Sequence, residues 1–119
     1  MKLPNLENAV VSQEKIVNYL LNPEHPDGAG KAKFFAAQGF RPEDWETLAD
    51  ALRGVAAVND VVYCKVSSHG SKYVVDGPME TPAGRSPWPL VRTVWIIDEG
   101  TTLPRLVTAY PTSKESESD

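Results

Sequence analysis

The feature that most constrains this chain is a change of hydrophobic period at Asn59-Asp60. Before that point apolar residues recur every three to four positions, as on the buried stripe of a helix. After it they alternate in four short runs separated by turn formers, as in strands that are half buried. The runs are Val61 to Ser67, Lys72 to Met79, Val91 to Ile97 and Leu106 to Tyr110, with turns at His69-Gly70, Thr81-Pro82-Ala83-Gly84 and Glu99-Gly100. Connections this short join antiparallel neighbours, so the second half reads as a four-stranded antiparallel meander. Helices first and strands second imply an α+β fold, with two to three N-terminal helices packed on one face of the meander.

Ser12 reads as the N-cap of the first helix, with Gln13 and Glu14 in its first turn and Ile16, Val17, Leu20 and Leu21 along its stripe. Asn22-Pro23 breaks it. The loop Asn22-Pro23-Glu24-His25-Pro26-Asp27-Gly28 then sets one histidine between two prolines, which limits the directions the imidazole can take. Ala29 to Gln38 is a second helix stopped by Gly39, with Lys31 and Lys33 near its start. Pro42 opens a third, with Glu43, Asp44 and Glu46 at the end the helix dipole favours and Trp45, Leu48, Ala49, Leu52 and Val55 on its apolar face.

Length and composition narrow the class. With 119 residues, 41% hydrophobic and 24% charged, the chain reads as one α+β domain over residues 1–111 followed by an acidic, disordered tail over 112–119. A core of this size needs no disulfide or metal staple. Cys64 is the single cysteine, so no intrachain bridge is available and a reducing, cytoplasmic setting is expected. No apolar run approaches the roughly 18 residues of a membrane span, and no secretory h-region stands at the start. The formal charge is −4; the tail, with one basic and three acidic residues, carries −2 of it, which leaves the body at −2. A near-neutral body excludes attraction of nucleic acid by the whole surface and leaves room for a local basic patch.

Few residues carry chemistry. Thr108 and Tyr110 bring two hydroxyls to the end of the last strand, expected to be central or near-central, where they can hold a phosphate or orient a nucleophile; equally, both are good strand formers. Alternation sets Leu106, Thr108 and Tyr110 on one face, and sets Thr93, Trp95 and Ile97 opposite Arg92, Val94 and Ile96. His25 can give and take a proton near neutral pH, or simply cap the helix that follows. Lys31, after Gly28 and Gly30, can meet an anion beside free backbone amides, or stand solvated; the fragment lacks the glycine spacing and Ser/Thr of a P-loop. His69 and Cys64 are explained by a turn and a half-buried strand. Asp76 and Glu80 are too isolated for a carboxylate pair, and the three tryptophans are too dispersed for a stacking platform. No metal-ligating cluster and no cofactor motif is present in the sequence.

Taken together, Met1-Lys2-Leu3-Pro4-Asn5 with Ala9-Val10-Val11, Tyr19 to Pro26 running on to Lys31-Ala32 and Phe35, Tyr73-Val74-Val75-Asp76, Thr93 to Ile97 and Pro104 to Tyr110 resemble an uncharacterised family of small bacterial domains. That family occurs alone and in toxin-like contexts. More distantly, a helical start bearing a histidine and a lysine, a four-stranded antiparallel sheet and a last strand reading Thr108-Ala109-Tyr110-Pro111 resemble the barnase, EndoU, colicin and RelE superfamily of metal-independent ribonucleases. The chain lacks that superfamily's frequent excess of basic residues.

The resemblance implies RNA cleavage by transesterification, which needs proton transfer at the 2′-hydroxyl and the 5′-oxygen and donors or cations for the charge on the phosphorane. It implies His25, Lys31, Thr108 and Tyr110 as catalytic residues and Lys31, Arg92 and Thr93 as phosphate-binding residues, with no cofactor. RNA is the substrate so implied, and a small antitoxin or immunity protein the partner. A non-catalytic binding module is the alternative.

Overall fold

The computed structural model describes residues 1–84 and 86–112; the tail expected over 112–119 falls, from 113 onward, outside the described residues. A 3-10 turn at Leu6–Asn8 precedes α1, Gln13–Lys15, which is capped as expected: the Ser12 Oγ accepts the Lys15 backbone N–H at 3.1 Å. The helix then widens into a π-helical turn, Ile16–Leu20, closed by the Leu21 N–H on the Ile16 carbonyl at 2.8 Å. That widening buries Ile16 and Leu20 while leaving Tyr19 half buried. The next helix, α2, runs over Ala29–Ala37 and ends where Gly39 takes φ +100°, a left-handed value that glycine reaches without steric penalty. A 3-10 turn at Pro42–Asp44 leads into α3, Trp45–Val58, whose Leu48, Ala49, Leu52, Val55 and Ala56 are buried.

The strands are β1 (Val61–Ser67), β2 (Gly70–Pro78), β3 (Leu90–Asp98) and β4 (Arg105–Pro111), paired antiparallel in the order β1-β2-β3-β4. This is the α+β fold expected, three helices followed by a meander. Helix α3 packs on β2 and β3, and α2 packs against β4 and the π-helical turn. The core joins Ile16, Leu20, Phe35, Leu48, Leu52 and Val55 from the helices to Val75, Val91, Trp95, Leu106 and Ala109 from one sheet face.

Two expectations about β4 need correction. It is the last strand of the sheet, not a central one. Its outer edge is only partly covered, by Val10, which donates to the Pro104 carbonyl at 2.8 Å and accepts the Leu106 N–H at 2.9 Å. Nor do Leu106, Thr108 and Tyr110 share a face. Thr108 pairs with Val94 but Leu106 with the next residue, Trp95, so Val107 is an extra residue in the ladder. This bulge turns Leu106 into the core and Thr108 and Tyr110 away from it, an inversion that alternation from either end cannot foresee.

Thr93 shows how the core absorbs a polar side chain. It is fully buried; its hydroxyl donates to the Val75 carbonyl at 2.8 Å and accepts the indole N–H of the buried Trp95 at 2.9 Å. Thr93→Val keeps the shape and strands that indole donor, so unfolding in urea should register a loss of roughly 1–2 kcal/mol, the cost of one unpaired buried donor. No described helix is long and apolar enough to cross a membrane.

Candidate functional site

The helices cover one sheet face; the other is open. On it Arg92 stands directly opposite Tyr110 and Val94 opposite Thr108, because residues paired in register project to the same side. The π-helical turn and the start of α2 overhang the β4 edge of this face and bring the N-terminal candidates to it. The Tyr19 hydroxyl lies 3.0 Å from the Thr108 Oγ1. The Tyr19 ring meets the His25 ring edge-on at 4.9 Å between centroids. Lys31 Nζ stands over both aromatic rings, 5.6 Å from the centre of Tyr19 and 5.8 Å from that of Tyr110, while Lys15 Nζ is 4.9 Å from the Tyr19 ring.

Four sequence candidates therefore converge, and a fifth residue joins them. His25, Lys31, Thr108 and Tyr110 gather around Tyr19, and the link from the imidazole to the strand hydroxyls passes through the Tyr19 phenol. In the sequence Tyr19 figures only as the start of a segment that carries the family resemblance, not as a site residue. What marks it is Gly28, whose Cα approaches so closely that an added Cβ would lie 2.6 Å from the Tyr19 carbonyl oxygen. That contact fixes the loop carrying His25 against the turn carrying Tyr19.

The loop is held by its own hydrogen bonds. The Asp27 N–H donates to His25 Nδ1 at 3.0 Å, and the His25 carbonyl accepts from Gly28 and Ala29 at 3.2 and 3.1 Å. A neutral ring that accepts at Nδ1 carries its proton on Nε2 and offers a donor there. To take a proton at Nε2, or to become imidazolium, the ring must carry hydrogen at Nδ1, and the Asp27 contact must open. Lys31 is tethered to the same turn through the Asp27 carbonyl at 3.1 Å.

Arg92 and Thr93 part company. Arg92 lies on the open face, where its Nε and one terminal nitrogen grip the two Asp76 oxygens at 2.8 Å each. That carboxylate, and secondarily Tyr110, holds the guanidinium pKa above its already high ordinary value. Its charge is thus largely matched before any ligand arrives. Thr93, expected to bind phosphate, is buried on the helix side with its hydroxyl in use, so it is not brought to the site. Cys64, expected half buried, is exposed on β1, and His69 stands in the exposed β1–β2 turn.

A family model for a domain of unknown function, DUF6883, matches residues 2–113. The chain belongs to that family. This agrees with the resemblance to an uncharacterised family read from the sequence. No curated protein matches the chain. Among solved structures the fold is similar to a chain of a contact-dependent growth inhibition toxin–immunity protein complex from Klebsiella pneumoniae 342, with a TM-score of 0.68 and 14% identity, covering 87% of this chain and 100% of that one. At that identity the likeness is one of fold.

Proposed function

We propose that this chain is a ribonuclease-toxin-like domain that cleaves RNA at phosphodiesters by metal-independent transesterification, at the β4 edge of the open sheet face. The observation that carries the reading is the convergence of an imidazole, an ammonium and three hydroxyls from residues far apart in sequence, beside an uncovered sheet. The fold likeness to a chain of a toxin–immunity protein complex supports a toxin- or immunity-like role for the chain.

In this reading Lys31 meets the non-bridging oxygens of the scissile phosphate, and the hydroxyls of Thr108 and Tyr110 orient it. The 2′-oxygen forms a bond to phosphorus and loses its proton; the bond from phosphorus to the 5′-oxygen breaks, and that oxygen gains a proton. Charge gathers on the phosphorane between these events, where a fixed cation and hydrogen-bond donors stabilise it most. His25 serves in proton transfer once the Asp27 N–H has released Nδ1. Before that its Nε2–H is a hydrogen-bond donor to the phosphate. Arg92, matched by Asp76, is a supporting rather than a leading phosphate contact.

The test is incubation of the purified chain with total RNA in the presence of chelator. Cleavage to products with 2′,3′-cyclic phosphate ends, together with growth arrest on expression, is the expected result. Intact RNA with a correctly folded protein sinks the proposal. A second reading, a non-catalytic module that binds an immunity- or antitoxin-type protein, is favoured by the engagement of His25 Nδ1 and the pairing of Arg92 with Asp76. It predicts a stable complex with a protein partner and no turnover in the same assay.

A further inference from the structure

Beyond the cleavage edge, the open face carries a groove of about 790 Å³ in which Val74 and Val94 line the sheet between Tyr63, Lys72, Arg92 and Tyr110. We propose that this groove binds the nucleotide next to the cleaved linkage, with the Tyr63 ring stacking on its base and Lys72 and Lys65 meeting its phosphate. The inference rests on the ribonuclease reading and adds a subsite to it.

Three observations support it. First, Tyr63 stands opposite Val74 in the ladder, Val74 opposite Val94, and Val94 opposite Thr108, so one row crosses the whole face from β1 to the cleavage edge. Three interstrand steps of about 4.8 Å make roughly 14 Å, a span for more than one nucleotide. Second, Val74 and Val94 are buried, whereas Tyr63 on the terminal strand is 51% exposed, an apolar floor beside an exposed aromatic wall. A nucleobase has two apolar faces and a polar rim, and stacking on an aromatic ring is how single strands are held without reading their sequence.

Third, Lys65 and Lys72 face each other in register, and neither forms an ion pair with a described residue. Like charges directly opposite each other repel, so the pair is at its most favourable with an anion between them. The acidic residues Glu43, Asp44, Glu46 and Asp50 lie instead in or just before α3, on the far side of the sheet. On the open face Asp76 lines the same groove but is matched by Arg92, which leaves Lys65 and Lys72 as cations without an ion-pair partner among the described residues. That arrangement favours an anionic occupant over a neutral or basic one, and the exposed Tyr63 ring beside it favours an anion that carries a planar base over an acidic peptide.

The experiment measures binding of a fluorescein-labelled, mixed-sequence single-stranded RNA hexanucleotide by fluorescence anisotropy, using the full chain with His25→Ala to prevent cleavage. In that background Tyr63→Ala and Tyr63→Leu should weaken binding by roughly 5- to 100-fold, the range of one lost stacking contact, whereas Tyr63→Phe should stay within about 2-fold. Lys65→Ala and Lys72→Ala should each flatten the slope of log affinity against log salt by about 0.7, the value for one phosphate contact on a single strand. Tyr63→Leu keeps apolar bulk on β1, so a loss common to both variants reports stacking and not misfolding. Unchanged affinity and unchanged salt slopes, with RNA still cleaved by the parent chain, overturn the subsite alone. A parent chain that neither binds nor cleaves RNA overturns the cleavage reading and the subsite together.

Discussion

Replacing His25 or Lys31 by alanine should each lower the rate of RNA cleavage in chelator by about 100-fold or more, with little change in the unfolding midpoint. The size follows from the proposed roles. A positioned proton-transfer group contributes about 10²- to 10⁴-fold, and a preorganised charge aimed at the phosphorane contributes a comparable factor. The small effect on stability follows from exposure: both side chains are only half buried, and their polar contacts are to the loop's own backbone. The two losses should differ in kind. In the proposed role Lys31 meets the phosphate of the bound substrate as well as the phosphorane, so its removal takes away ground-state binding too, and KM should rise along with the fall in kcat. His25→Ala should act mainly on kcat. Initial rates across a range of RNA concentrations, with cyclic-phosphate ends as the readout, separate these outcomes, and full activity in either variant would remove that residue from the mechanism.

How much of this site could be read from residues alone depended on whether local rules governed it. The Ser12 cap, the Gly39 stop and all four strands were legible, because caps, left-handed glycines and period-2 alternation are short-range signals. The separation of Arg92 from Thr93 was legible for the same reason, but which of the two faced the helices was not. It was decided by Trp95, two residues on, which takes the core side together with Thr93. The Val107 bulge was invisible, since an unpaired residue in a ladder leaves no mark in a sequence of strand formers. It was nonetheless decisive: without it Thr108 and Tyr110 would share the face of Leu106 and lie in the core. Tyr19 was missed because a tyrosine on an apolar helix reads as packing; its role arises only from a contact spanning 89 residues.

The same dependence on tertiary placement makes Gly28 a sensitive position for the site. Glycine occurs here for space, not for an unusual backbone angle, since its φ is −108°. A Cβ would meet the Tyr19 carbonyl oxygen at 2.6 Å and its ring carbon Cδ1 at 3.0 Å. The carbonyl belongs to the π-helical turn and cannot rotate away as a side-chain tip could, so either α2 or that turn must shift. Gly28→Ala should therefore cost about 1–3 kcal/mol, as overpacking does, and Gly28→Val about 3 kcal/mol or more. Gly30 supplies the control. It lies two residues on, in the first turn of α2, with nothing within 4 Å of an added Cβ, so Gly30→Ala should stabilise by roughly 0.5–1 kcal/mol through helix propensity and a less flexible unfolded chain. Urea unfolding of the three variants gives the signs directly. Function should follow the displacement: a shifted Tyr19 loses Thr108 and carries the His25 loop with it, so Gly28→Ala should lose at least about 10-fold in cleavage even where it remains folded. Gly30→Ala should keep the parent rate. Equal stability of Gly28→Ala and the parent would mean that the turn yields without strain. The imidazole, the phenol and the strand hydroxyls would then no longer be held together by packing at this glycine.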